Sequence, residues 1–321
     1  MKEPIWGVVS TVKAPDRAIL GFVAHHLDLG AAEVHIYLDA NAPRARRALT
    51  GHPACRVILC DEAYWTRRSK ARGRPGKHQQ RQTSNATHCY RRRAGVDWLA
   101  HIDVDEFLIP DQSLSAQLAA LDRAVLSARM RPMEALAPDP ADPPSPGDIY
   151  LKSTSRFRFA RAALSETLFP TYGAHLNGGF VSHVAGKIFV RTGQDAISLR
   201  IHNAFRNGVM DDAAAELPDT RLAHLHAPGW ESFLAAYRFR LAQGSYRSEL
   251  KPASGEEGMN MHALFSMLEA EGGEAALRAF YNEVCTATPD LRARLARFGL
   301  LHRLRLDLDS KIARHFPDFV A

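Results

Sequence analysis

Several signatures of familiar chemistry are missing from this chain of 321 residues. No Gly-x-Gly-x-x-Gly follows the first apolar segment and no Gly-x-x-x-x-Gly-Lys-Ser/Thr occurs, so dinucleotide binding and phosphate-loop ATP chemistry lose their usual warrants. A Gly-x-Ser-x-Gly nucleophile elbow is missing too. The four cysteines, Cys55, Cys60, Cys89 and Cys285, show no Cys-x-x-Cys spacing, which argues against a zinc knuckle or a disulfide framework and for reduced, buried thiols. No segment approaches the roughly 18 uninterrupted apolar residues of a membrane span, and Met1 to Gly7 lacks the apolar run of a signal peptide. A cytoplasmic protein is expected, with peripheral contact at the inner face of a membrane as an open alternative. Acidic residues are absent from Arg67 to Arg93, where ten Lys or Arg accumulate. Such a run needs open solvent or an anionic partner.

What is present is ordinary for a globular chain: 46% hydrophobic and 24% charged residues, enough for a sizeable core. Ile5 to Val12 reads as a strand, and Pro15-Asp16 suits a helix start. Ile19, Phe22, Val23 and Leu27 recur at helical spacing before Gly30. Strands follow at Glu33 to Leu38, at Cys55 to Cys60 and from Trp98, the last with Asp103 and Asp105 at its carboxyl end, and helices at Pro43 to Leu49 and Lys77 to Arg93 lie between them. Alternating strands and helices without hairpin turns predict an α/β fold with a mostly parallel sheet flanked by helices. Ser113 to Leu121 reads as a capped helix, and Val125 to Ala135 is ambiguous between helix and strand. Pro138 to Gly147 carries five prolines and reads as a surface loop. Strands are expected at Lys187 to Val190 and Ser198 to His202. A helical C-terminal region begins with the stripes Phe233, Tyr237, Leu241 and Leu264, Phe265, Leu268, and its last forty residues read as two helices.

Trp98-Leu-Ala-His-Ile-Asp103-Val-Asp105-Glu106-Phe107-Leu108 concentrates the chemistry. It is an apolar run that ends in three carboxylates within four positions. A hard divalent cation relieves such crowding, and ligands of parallel sheets bind outside the carboxyl ends of the strands, where Asp39 also falls. His202, His224 and His226 are further ligand candidates; His224-x-His226 would put both rings on one side of a strand. A solvated strand end is the plain alternative. The basic run suits a solvated face, a nucleic-acid arm or a cover over a nucleotide pyrophosphate. Its few aromatics, with Tyr90 inside, speak against a stacking platform for single strands.

The acidic block resembles the aspartate-x-aspartate motif of family 2-like glycosyltransferases with the GT-A fold, in the branch reading close to Trp-x-x-x-x-Asp-x-Asp-Glu-Phe. His25 to Gly30, Val34 to Asn41, Gln79 to Asn85, Lys187 to Arg191, Ile201-His202 and His224 to Phe233 match later and earlier blocks in the same order, over roughly residues 5 to 245. One departure is Lys13-Ala14-Pro15, where the family usually has Asn-Glu. The resemblance implies a GT-A-like domain with a nucleotide-sugar half over 1–135, an acceptor-side half over 136–227, and a helical region over 228–321. It implies transfer of a sugar from a nucleotide-diphosphate donor to a glycan or other hydroxyl acceptor, with an inverting outcome expected. The implied ligands of a Mn2+ or Mg2+ ion are Asp103 and Asp105, with His202 or His226 as the third. Asp39, Gln79, Gln82, Asp103, Lys187 and Arg191 would hold the donor. Glu134, Glu166 and Glu106 are candidates for the base, Glu134 being preferred. No nucleic acid is expected as partner; a nucleic-acid-binding protein using residues 67–93, and a metal-dependent phosphohydrolase, are the competing readings.

Overall fold

Strands and helices alternate from the start of the chain, as the periodicity predicts. A computed structural model describes residues 3–68, 73–92, 95–243 and 259–319. The first elements are β1 (Trp6–Val12), α1 (Asp16–Asp28), β2 (Glu33–Leu38), α2 (Pro43–Gly51), β3 (Cys55–Leu59), α3 (Glu62–Arg68), α4 (His78–Arg91) and β4 (Trp98–His101). β5 (Glu106–Pro110), α5 (Leu114–Ala119), β6 (Ser127–Ala135), β7 (Asp148–Lys152), α6 (Arg158–Leu168), β8 (Lys187–Arg191) and β9 (Ile197–Leu199) follow. The last are β10 (Ala204–Arg206), β11 (Val209–Met210), β12 (Ala215–His224), α7 (Trp230–Gln243), α8 (Met261–Cys285), α9 (Pro289–Arg297), β13 (Leu301–Arg305) and α10 (Leu308–His315).

The chain divides into two compact units, one of Met1–Arg131, Ala185–Leu222 and Asp307–Ala321, the other of Pro132–Val184 and Ala223–Leu306. In the first unit, β3, β2, β1 and β4 lie side by side and parallel, with Val9 of β1 level with His35 and His101. β8 joins β4 antiparallel, and the first half of β6 joins β8 antiparallel. All seven residues of β1 are buried, Ser10 and Thr11 among them, which is why its sequence shows no alternation of apolar and polar positions. α1 buries Ile19, Leu20, Phe22 and Val23, and stops where Gly30 takes φ +92°, a conformation that disfavours any side chain. The fold class is the expected one: mixed α/β, with a mostly parallel central sheet flanked by helices.

In the second unit, Glu134 and Ala135 of β6 pair with β7, and β13 lies against the other edge of β7. The expected helical stripes meet here: Phe233 and Tyr237 of α7 pack on Phe265 and Phe280 of α8. α8 is broken at Gly273, where φ is +56°. Among the described residues, no helix is long and apolar enough to cross a membrane.

Four local expectations change. The strand that begins at Trp98 ends at His101, and a second strand not foreseen, β5, opens at Glu106 once the chain has left the sheet at Ile102. Val125 to Ala135 resolves into the strand β6. The expected strand from Ser198 to His202 ends at Leu199, since Arg200 donates its N–H to the Asn203 carbonyl and turns the chain. The last forty residues hold a strand, β13, between two helices; its partner β7 lies about 150 residues earlier, beyond the reach of local pattern. The basic run contributes the last two residues of α3 and the whole of α4, while residues 69–72 and 93 of it lie outside the described residues.

Candidate active site

The acidic turn is built by its own last residue. Glu106 is fully buried, its Oε2 accepts the Asp103 N–H at 2.8 Å, and its N–H donates to the Asp103 carbonyl at 3.0 Å. Lys187, the first residue of β8 and also fully buried, donates to Asp103 Oδ2 at 2.6 Å and lies 3.2 Å from Glu106 Oε2. Burial alone would lower the lysine's pKa, but the two carboxylates outweigh it and hold the ammonium charged beyond the ordinary range. Gln82 of α4 donates its side-chain amide to the second oxygen of Asp103. The nearer aspartate therefore works inside a fixed ion-pair network, and Lys187 is the cation that closes it.

Two histidines flank this network. His101, buried in β4, sets Nδ1 3.2 Å from the Arg200 carbonyl, and His202 donates its Nδ1–H to the Gly186 carbonyl at 2.9 Å. Burial, and then the charge of Lys187, push both down to about 4, so both rings are neutral at physiological pH.

Asp39 follows β2, with its side chain sealed from solvent. Arg81 Nε lies 2.7 Å and Arg74 Nη2 2.9 Å from its carboxylate, with His78 Nδ1 at 3.9 Å. Burial would raise its pKa; the His78, Arg74 and Arg81 contacts overcome that and hold it down at about 2. Beside it opens a cavity of about 580 Å³, lined among others by Asp39, Asn41, Asp61, Trp65 and Arg74. This is the carboxyl end of β2 and β3, where such sheets bind ligands. The Trp65 ring is pinned by its N–H to the Cys60 carbonyl at 3.1 Å. Asn85 of α4 supports this wall, accepting the Tyr64 hydroxyl at 2.7 Å and donating to Thr11 Oγ1 at 3.1 Å. Gln79 stands exposed in the first turn of α4.

The second unit holds the remaining candidates. Glu134 is buried and accepts the N–H groups of Val181 at 3.1 Å and Ser182 at 2.8 Å, with Lys152 Nζ at 3.2 Å. Burial opposes its ionisation, yet Lys152, His226 and these hydrogen bonds bring its pKa down to about 2. The rings of His224 and His226 lie 5.0 Å apart, and Arg240 sets its two terminal nitrogens 2.6 and 2.9 Å from the nitrogens of His226.

Within the first unit, Asp103, Glu106, Lys187 and Gln82 meet in one network, with the charge of Lys187 reaching His202. Arg191 does not join them: β8 runs antiparallel to β4, so Arg191 is level with Trp98 at the other end of the ladder. There it covers the Trp98 ring at 4.3 Å and donates to the Val125 and Asp122 carbonyls at 3.0 and 2.9 Å. Sequence reasoning missed Trp65, His78 and Arg74. The two basic residues were visible only as members of a cationic run, and Trp65 carried no motif.

Neither a family model nor a curated protein matches the chain. Among solved structures it is similar to a mycobacterial protein at 14% identity, over 75% of this chain and 74% of that one, with a TM-score of 0.33. It is also similar to the galactosyltransferase LgtC, solved in complex with donor and acceptor sugar analogs, at 11% identity over 90% of this chain and 100% of that one, with a TM-score of 0.31. Likenesses this distant carry no weight in reading the site.

Proposed function

We propose that this chain is a metal-dependent glycosyltransferase, moving a sugar from a nucleoside-diphosphate donor to a glycan or other hydroxyl acceptor with inversion. The observation that carries this reading is the setting of the acidic turn in the first unit. Asp103 is already neutralised by the buried Lys187, at the same end of the parallel strands as a cavity edged by Arg74. An acidic turn with a built-in counterion, beside arginines, suits a ligand that brings both phosphate and a cation.

For Mn2+ or Mg2+ we propose Asp105, which immediately precedes β5, as the ligand that the acidic turn supplies. When bound, the ion neutralises charge that builds on the leaving diphosphate. Asp103 and His202, each held by hydrogen bonds of its own, we assign to orienting the turn. Asp39, with Arg74 and Arg81, would meet the nucleoside diphosphate, with Gln79 at the rim and Gln82 steadying Asp103. A carboxylate with a pKa near 2 is a weak base, so we assign Glu134 to holding the Val181–Ser182 backbone and Glu106 to closing the turn.

The test is a thermal-shift titration with uridine and guanosine diphosphates, with and without manganese. Asp105→Ala should abolish the manganese-dependent part of the shift. Identical binding in the presence of chelator would refute the metal role.

A further inference from the structure

The two adjacent histidines of α1 take over the backbone of β5. β5 pairs with β12, and its Leu108 is met from α1: His25 Nε2 lies 2.8 Å from the Leu108 carbonyl, and the Leu108 N–H donates to His26 Nε2 at 3.4 Å. A strand residue directs its N–H and C=O to one edge, and such an edge needs partners when it is buried. Both rings are buried and meet each other at 5.2 Å, and Phe107 lies against both, edge-on to His25 at 5.3 Å and stacked on His26 at 6.3 Å.

These contacts fix both tautomers. A carbonyl only accepts, so His25 carries its proton on Nε2 and a lone pair on Nδ1. Lys311 of α10 faces that lone pair, with Nζ 3.2 Å from Nδ1, and an ammonium only donates. His26 is the reverse: its Nδ1–H donates to the Phe22 carbonyl at 2.7 Å, leaving Nε2 to accept from Leu108. Neighbouring residues of one helix thus hold opposite tautomers, matched to the two backbone groups of a single residue. Burial keeps His25 neutral, with its pKa pushed down to about 4 and Lys311 adding to the lowering.

We propose that Lys311 is a positioning residue for the acidic turn: by donating to His25 Nδ1 it selects the tautomer that grips Leu108, and so fixes β5 and the turn from Asp103 to Glu106 just upstream. Its consequence for ion binding rests on the function proposed above. Without Lys311 the other tautomer of His25 becomes accessible, and in that state the Leu108 carbonyl loses its donor.

The experiment records imidazole 15N shifts on the full chain together with manganese titrations. In the wild type, His25 Nε2 should show the protonated shift and Nδ1 the lone-pair shift. Lys311→Met should populate the other tautomer and weaken manganese binding about 10-fold, the scale on which groups orienting metal ligands act. Lys311→Arg should preserve both. His25→Gln donates to Leu108 from an amide with no tautomer to choose, so adding Lys311→Met to it should change manganese affinity by less than about 2-fold, the residue left when the coupled partner is gone. A wild-type His25 protonated on Nδ1, or a Lys311→Met variant with unchanged ring shifts and unchanged manganese affinity, overturns the proposal. If Lys311→Met does not fold, the wild-type shifts and Lys311→Arg still decide. Ring shifts that move as expected in a protein that never binds manganese would support the tautomer relay and refute the metal reading instead.

Discussion

Replacing Lys187 by methionine removes a buried cation that two carboxylates share. The ammonium lies 2.6 Å from Asp103 and 3.2 Å from Glu106. At an effective dielectric constant of about 20 these contacts are worth roughly 6 and 5 kcal/mol, before the desolvation that offsets much of both. The two carboxylates differ in their escape. The Asp103 side chain is 27% exposed and can recover hydration, whereas that of Glu106 is 0% exposed and cannot. The loss therefore falls mainly on Glu106, and Lys187→Met should cost about 3–5 kcal/mol at pH 7, the usual result of removing one partner of a buried pair. Adding Glu106→Gln should return more than half of this, because the amide can still accept the Asp103 N–H without a charge; adding Asp103→Asn should return less. Urea unfolding followed by tryptophan fluorescence suits the measurement, since Trp6, Trp65 and Trp98 all lie in the first unit. A Lys187→Met protein within about 1 kcal/mol of the wild type would refute the argument, because costs that small belong to exposed pairs.

Acidification should destabilise the first unit through its buried histidines. His25 and His101 have folded pKa values near 4 against 6.5 unfolded, so their contribution is full above pH 6.5 and falls as the pH drops toward 4, by up to about 3 kcal/mol per ring. A urea midpoint unchanged between pH 7 and pH 5 would contradict this. Below that range Asp39 should act in turn: with a folded pKa near 2 against 3.8, its stabilisation is lost as the pH falls from about 4 to 2. Arg191→Ala should lower stability by about 1–2 kcal/mol through the Trp98 contact and two carbonyl bonds, while leaving nucleoside-diphosphate binding unchanged. Glu134→Gln should destabilise the second unit by leaving Lys152 without its carboxylate, with no change in manganese affinity; a loss of affinity at unchanged stability would restore Glu134 to the chemistry.

Much of the first unit is legible in its sequence because local and long-range demands agree there. β1 to β4 each combine an apolar run with a polar stop, and a parallel arrangement requires nothing subtler. Asp39 and Asp103 could be placed at one end of the sheet from strand order alone. The break between β4 and β5 was not legible, since Ile102 and Phe107 are both apolar and nothing local signals that Glu106 turns inward to close the chain on itself. Lys187 reads as a donor contact for a similar reason: a lone lysine opening a strand gives no sign that two carboxylates await it. β13 was lost because its strand character comes from β7. Arg191 reads as a donor contact beside Lys187, and nothing local shows that an antiparallel strand sends its two ends to opposite rims of the sheet.

The buried lysine also dictates an order of events. Asp103 and Lys187 are 84 residues apart, so their pairing carries the loop-closure cost of a distant contact. During synthesis the turn emerges well before β8, and until β8 docks its carboxylates keep their water. The acidic turn then dries only once β8 has docked, and substitutions at Lys187 should raise the unfolding rate more than they slow folding. A chain stalled before β8 would present a wet, unlocked turn beside strands already parallel, a state that nothing short of the later segment can complete.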